Sequence, residues 1–214
     1  MAEENDYSSH RPRTTSELIR FYYEQYRPLY AYVQTLNQPP IEMSLEVSAA
    51  FDHLTRIEQF GELEEKAVEA ASAHLKRACF DGYKLVVKKT CDEYNELIEI
   101  DLDDIDCGKF KQELIRLWAS IRKGAVEARA CEGNARNHST FDCWHDAFDM
   151  WFVVYQDCLV LTKEFYESEK VAWAKHLQRK RKWKERLLDW PIGFIIGVLS
   201  GLLVAFLVYL FSPK

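Results

Sequence analysis

No Asn-Gly hairpin and no sustained alternation of apolar and polar residues occurs in this sequence, which excludes a convincing β-strand. Nor is there an internal repeat of about 20 to 50 residues, which excludes a solenoid or a propeller. The usual carriers of chemistry are missing as well: no Walker-type loop, no G-x-G-x-x-G, no G-x-S-x-G and no H-E-x-x-H. None of the six histidines (His10, His53, His74, His138, His145, His176) follows an arginine at the spacing used by helical ribonucleases of the HEPN class. The expectation is a protein that is not an enzyme and that carries no cofactor and no metal.

The six cysteines (Cys79, Cys91, Cys107, Cys131, Cys143, Cys158) contain no C-x-x-C pair. Met1 to Arg13 is polar and charged, without the apolar stretch of a signal peptide. Reduced thiols in a cytosolic domain fit both observations. What the chain does have is a composition that is 48% hydrophobic and 14% aromatic. That is enough for one packed core, and it rules out a disordered chain.

The formal charge of −6 conceals an asymmetry. Seven basic residues (Lys175, Arg179, Lys180, Arg181, Lys182, Lys184, Arg186) crowd the stretch 175–189, against Glu185 and Asp189. Without this stretch and Lys214 the chain retains 20 basic and 32 acidic residues. An acidic body on a basic neck argues against indiscriminate binding to nucleic acid.

Helical periodicity organises the rest. Residues 1–13 read as a loose tail, and Thr14-Thr-Ser-Glu17 as a capping box that starts the first helix. Leu18, Tyr22, Tyr26, Leu29 and Val33 follow at helical spacing, with a kink expected at Pro28 and a stop at Pro39-Pro40. A second helix is expected over Glu42 to Phe60, with Leu45, Ala49, Leu54 and Ile57 near one face and Gly61 at its end. The third runs from Glu62 to about Ile100, softened at Gly82. The acidic corner Asp101 to Asp106 reads as a connection. A fourth helix over Lys109 to Ala130 buries Phe110, Leu114, Leu117, Trp118 and Ile121 and is broken by Gly133 and Asn134. A last soluble helix starts at Ser139-Thr-Phe-Asp142 and continues as a stalk to Pro191. The fold class expected is all-α: a cytosolic helical bundle, residues 14–174, on a basic juxtamembrane stalk, 175–191.

Ile192 to Phe211 is a run of 20 residues without a charge. At ~1.5 Å per residue it matches a hydrocarbon core of ~30 Å, so a single transmembrane helix is expected over 192–211. Trp183, Trp190, Tyr209 and Phe211 stand where interfacial aromatics belong, and the positive charges before the run place the body in the cytosol. The layout is that of a tail-anchored protein of the inner (plasma) membrane, with Arg179, Lys180, Arg181, Lys182, Lys184 and Arg186 against anionic headgroups. Gly193, Gly197 and Gly201, with Ser200 beside them, form a G-x-x-x-G-x-x-x-G face. Such a face packs helix on helix, so homo-oligomerisation is expected.

Three clusters in the body invite chemistry. Cys131, His138, Cys143 and His145 have the residue types of a zinc site but irregular spacing, and a core or surface role is favoured. The acidic corner near Asp103 lacks the EF-hand pattern. On the third helix His74, Arg77, Lys84 and Lys88 fall near one face, with Lys76 and Lys89 at its margins and Phe80 and Tyr83 nearby. Cations interleaved with rings can grip a phosphate backbone while bases stack. The competing explanation is an ordinary exposed face with Arg77–Asp81 and Lys89–Glu93 pairs, and it is the favoured one.

Glu46-Val-Ser-Ala-Ala-Phe-Asp-His-Leu-Thr-Arg56 and His74-Leu-Lys-Arg-Ala-Cys-Phe-Asp81 resemble segments of small helical proteins encoded beside bacterial anti-phage defence genes. With the apolar run and its glycine face, the layout resembles the membrane effector of Hailong systems. The resemblance implies an oligomeric membrane channel held shut by a single-stranded DNA oligomer, which a partner nucleotidyltransferase makes. The cations around Arg77, Lys84 and Lys88 are where charge would place that oligomer. The alternative expectation is a tail-anchored adaptor that presents a helical surface at the membrane.

Overall fold

The computed structural model describes residues 11–36, 40–138 and 141–211, with side chains except at 137–138, 141–142, 185–193, 195–196 and 205–211. Every regular element among the described residues is helical. Thr14 caps α1 (Thr15–Phe21): its hydroxyl accepts from Glu17 N–H while the Glu17 carboxylate reaches back to the Thr14 N–H, the reciprocal pair expected. Pro28 acts differently from a simple kink. It lacks the N–H that would bond back to residue 24, and the chain before it widens into a π turn, Tyr22–Tyr26, closed by Arg27 N–H on the Tyr22 carbonyl. α2 (Arg27–Gln34) then continues with the proline in its first turn.

α3 (Ile41–Phe60) ends at Gly61, which takes the left-handed conformation at φ 64°. Gly61 N–H bonds to Ile57 O, the αL cap, and Glu62 N–H to Arg56 O. Its inner face is Met43, Val47, Ala50, Leu54 and Ile57, whereas Leu45, expected inside, is 65% exposed. α4 (Glu64–Ile98) is the axis of the body, with α3 on one side and α6 on the other. It is not softened at Gly82. A Cβ there would come within 2.8 Å of Leu29 and 2.9 Å of Met43, so the glycine allows α2 and α3 to pack close to α4.

The acidic corner is a connection, as expected, but a structured one. Leu102 and Ile105 turn into the core while the aspartates face outward. Asp106, Cys107 and Gly108 are all left-handed, with φ 48°, 55° and 82°, and they swing the chain from a 3-10 turn, Ile105–Gly108, into α5. α5 (Lys109–His138) passes straight through Gly133 and Asn134, because Glu132 and Ala135 are buried beyond the expected end. α6 (Phe141–Val160) packs on α5 and α4. Its rings fill the middle of the core: Phe148 lies 5.2 Å from Phe21 and 5.9 Å from Tyr83, and Tyr155 lies 5.0 Å from Tyr83.

The expected unbroken stalk is interrupted. α6 gives way to a π turn, Leu161–Tyr166, and the helix stops at Glu167. Ser168 then restarts it, its hydroxyl accepting from Lys170 N–H and its carbonyl from Val171 and Ala172 N–H. α7 (Glu169–Phe211) is the resulting 43-residue helix, ~65 Å long at ~1.5 Å per residue. Among the described residues no helix is long and apolar enough to cross a membrane. Much of the span expected over 192–211 has side chains outside that description.

Two glycines should respond oppositely to substitution. Gly82→Val forces Leu29 and Met43 to move and should destabilise by about 1–3 kcal/mol. Nothing lies within 4 Å of the Cβ position at Gly133, so Gly133→Ala should stabilise α5 by about 0.5–1 kcal/mol. Thermal unfolding of the two variants, followed by far-UV circular dichroism, compares them.

Candidate functional site

The cations of α4 do not form an exposed row. Lys76, Phe80 and Tyr83 are in the core, at 0, 0 and 1% exposure. His74 and Arg77 both turn to α3, where Glu46 Oε2 lies 2.7 Å from His74 Nδ1 and accepts from Arg77 Nε at 3.1 Å. The Arg77 guanidinium also stacks 5.4 Å over the Trp144 ring. Lys84 turns the other way, donating to Asp81 at 3.2 Å and to Glu132 of α5 at 2.9 Å. Lys88 is exposed. A phosphate backbone on this face would have to displace Glu46 and Glu132 and uncover two buried rings, so the sequence pattern here is that of an interior.

The ion pairs divide accordingly. Lys89 and Glu93 pair at 3.2 Å, as the exposed-face explanation expected, but the partner of Arg77 is Glu46 and the partner of Asp81 is Lys84. Glu132 is the carboxylate that sequence reasoning missed. It is 5% exposed and accepts from Lys84, from Arg136 Nη2 at 2.7 Å and from Trp151 Nε1 at 3.3 Å. Its neighbours Gly133 and Asn134 had marked it as part of a helix end.

Lys76 is the most unusual member. Burial lowers its pKa to about 7, opposed by the Asp149 carboxylate, and its amine is hydrogen-bonded to His145 Nδ1. Cys79, one turn on, is pushed far above the ordinary thiol range by burial. His145 therefore serves this interior contact. Cys131 and Cys143 are half-buried, the His138 side chain lies outside the described residues, and among the described residues no three or more His, Cys, Asp or Glu side chains are grouped to hold a metal.

The basic neck is two-sided. Arg181 faces the body, its guanidinium donating to Asp101 at 2.7 Å and Asp104 at 2.8 Å. Lys170 donates to Asp106 at 2.5 Å and Gln178 to the Glu99 carbonyl at 3.2 Å. Val171 and Ala174 are buried between these polar contacts. The acidic corner is thus a clamp for the root of α7. Arg179, Lys180, Lys182 and Lys184 point to solvent with Trp183, while the Arg186 side chain lies outside the described residues.

Further along α7, Phe194, Val198, Leu199, Leu202, Leu203 and Val204 are all exposed. Gly197 and Gly201 have nothing within 4 Å of their Cβ positions, and the Ser200 hydroxyl bonds back to the Gly197 carbonyl at 2.9 Å. Gly193 lies outside the described side chains. No family model, no curated protein and no solved structure matches this chain.

Two outcomes follow from the buried amine and the clamp. In the folded state Lys76 releases its proton near pH 7, and in the unfolded chain near 10.5. The unfolded state therefore holds more protons in that window, and stability contributed at this site rises with pH across it. Lys76→Met should abolish the rise, so wild type should gain on the variant between pH 7 and 9 in denaturant titrations. For the clamp, Arg181→Glu should raise amide hydrogen exchange over 170–181 and leave the core of α4 and α6 protected.

Proposed function

We propose that this chain is a membrane effector: α7 carries an apolar, glycine-lined segment that self-associates in the bilayer as an ion channel or pore, and the helical body controls it from the cytosol. The observation that carries this reading is the apolar end of α7. Its described leucine, valine and phenylalanine side chains are exposed, and its described glycines, Gly197 and Gly201, meet nothing from the described residues of the same chain. A contiguous apolar helix surface of this kind needs lipid or other chains to cover it.

The uncharged run 192–211 and the positive charges before it support a single crossing with the body on the cytosolic side. The outward cations Arg179, Lys180, Lys182 and Lys184 would meet anionic headgroups. Resemblance to the Hailong effector supports a place in bacterial anti-phage defence, with a single-stranded DNA oligomer as the controlling ligand. The reading assigns that oligomer no site on α4, where His74, Arg77, Lys84 and Lys89 are engaged by carboxylates and Lys76 is buried. A second reading, a membrane-anchored adaptor, is favoured by the interior character of the α4 row, which leaves the body without an evident ligand grip.

Inducible expression with a membrane-potential dye separates the two. The effector depolarises the cell, and Gly197→Leu should reduce depolarisation by about tenfold or more by preventing close helix approach. An unrelated Leu-rich segment in place of 192–211 should also abolish it. Preserved function with the Leu-rich segment and an unchanged potential would establish the adaptor instead.

A further inference from the structure

Among the described residues, uncovered apolar side chains of the body gather on α1 and α3 and again on α5, on opposite flanks. α3 packs on α4, α4 on α6 and α6 on α5, which puts α3 and α5 at the two outsides of the bundle. On the α3 flank, the π turn meets α3 where the Tyr22 ring lies edge-on 5.8 Å from Phe51, and beside this contact α1 and α3 leave a cleft with about 550 Å³ of empty space. Its floor is Leu18, Ala50, Leu54 and Leu75, and its walls are Ile19, Tyr23 and Phe51, which are 45, 55 and 48% exposed. On the other flank α5 presents a ridge, Ile115, Ala119, Arg122 and Val126, which recur at i, i+4, i+7 and i+11 and are all exposed. Val126 is 69% exposed.

The flanks also differ in charge. Ile41–Phe60 holds four carboxylates against one arginine, while Lys109–His138 holds seven Lys and Arg against three Glu. An apolar cleft beside an acidic helix and an apolar ridge on a basic helix are complementary in shape class and in sign. They cannot meet within one chain, because the thickness of the bundle separates them. They can meet between two.

We infer that the α1–α3 cleft of one copy receives the α5 ridge of the next. The contact is head-to-tail: each copy uses its cleft for one neighbour and its ridge for another. Repeated, it closes into a ring if the rotation per subunit allows, and otherwise it extends as a filament. A ring of bodies would gather the α7 segments of all copies. The contact extends the self-association proposed above from α7 to the body, and it is testable without reference to ion flow.

The test places p-benzoylphenylalanine at Phe51 in the full chain, in membranes, with isotopically light and heavy chains mixed so that adducts between copies carry both labels. Ultraviolet activation should join position 51 of one copy to a tryptic peptide within 115–129 of another. Val126→Asp, at a site exposed enough to spare folding, should lower that yield by about tenfold, which corresponds to ~1.4 kcal/mol of association. Adducts between two α3 segments would indicate a two-fold contact and overturn the inference. So would adducts only to lipid or to a different protein, or none between copies. Because Gly197→Leu reports separately on α7, a failed cross-link with intact Gly197-dependent depolarisation would remove the body contact and leave the effector reading standing.

Discussion

Charge carried into the interior by α4 determines where its neighbours can sit. A helix that is covered on most of its circumference and still bears His74, Lys76, Arg77, Lys84 and Glu93 must meet an acid or a base on each adjoining element. Glu46 of α3 answers His74 and Arg77, Glu132 of α5 answers Lys84, and His145 and Asp149 of α6 answer Lys76. Lys76, Glu93 and Glu132 are the buried members of this set, and leaving a buried charge without its partner costs several kcal/mol, more than a typical apolar contact contributes. Apolar packing alone would tolerate some sliding of α3 and α6 along α4. The polar partners remove that freedom and select one register.

The sequence made the helical class and several boundaries legible, because these depend on neighbours in the chain. The capping box at Thr14 and the glycine stop at Gly61 are local chemistry. The failures have long-range causes. Gly82 and Gly133 look alike in sequence, yet one is packed under Leu29 and Met43 and the other faces open space. The break at Glu167 and Ser168 contains neither glycine nor proline. Its only local trace is a serine followed by an acidic residue, the ordinary beginning of a helix, in a stretch whose lack of a glycine or proline before Pro191 pointed to continuity.

The row on α4 was read with the right residues and the wrong surroundings. Spacing shows that His74, Arg77, Lys84 and Lys88 share a side of the helix, but it cannot show whether that side meets water or carboxylates 28 to 48 positions away. The acidic corner and the basic neck were likewise each visible as charge. Their mutual contact depends on the left-handed turn at Asp106 to Gly108 and on the restart at Ser168. Neither could be read as part of a pair.

α7 leaves the body with a small footing. Among the described residues Val171 and Ala174 are its buried apolar contacts, supplemented by the Gln178 bond to the Glu99 carbonyl, by Lys170 and Lys175 over the Phe110 and Tyr166 rings, and by the clamp of exposed ion pairs around Asp101, Asp104 and Asp106. Exposed pairs of this type are weakened by solvent and screened by salt. The helix beyond Arg181, residues 182–211, is ~45 Å long, so it behaves as a lever pivoting near one end. A swing of about 10° at the pivot displaces the far end by about 8 Å, close to the distance between the axes of packed helices. Small changes in which carboxylate holds Arg181 are thereby magnified into movements as large as the spacing between packed helices.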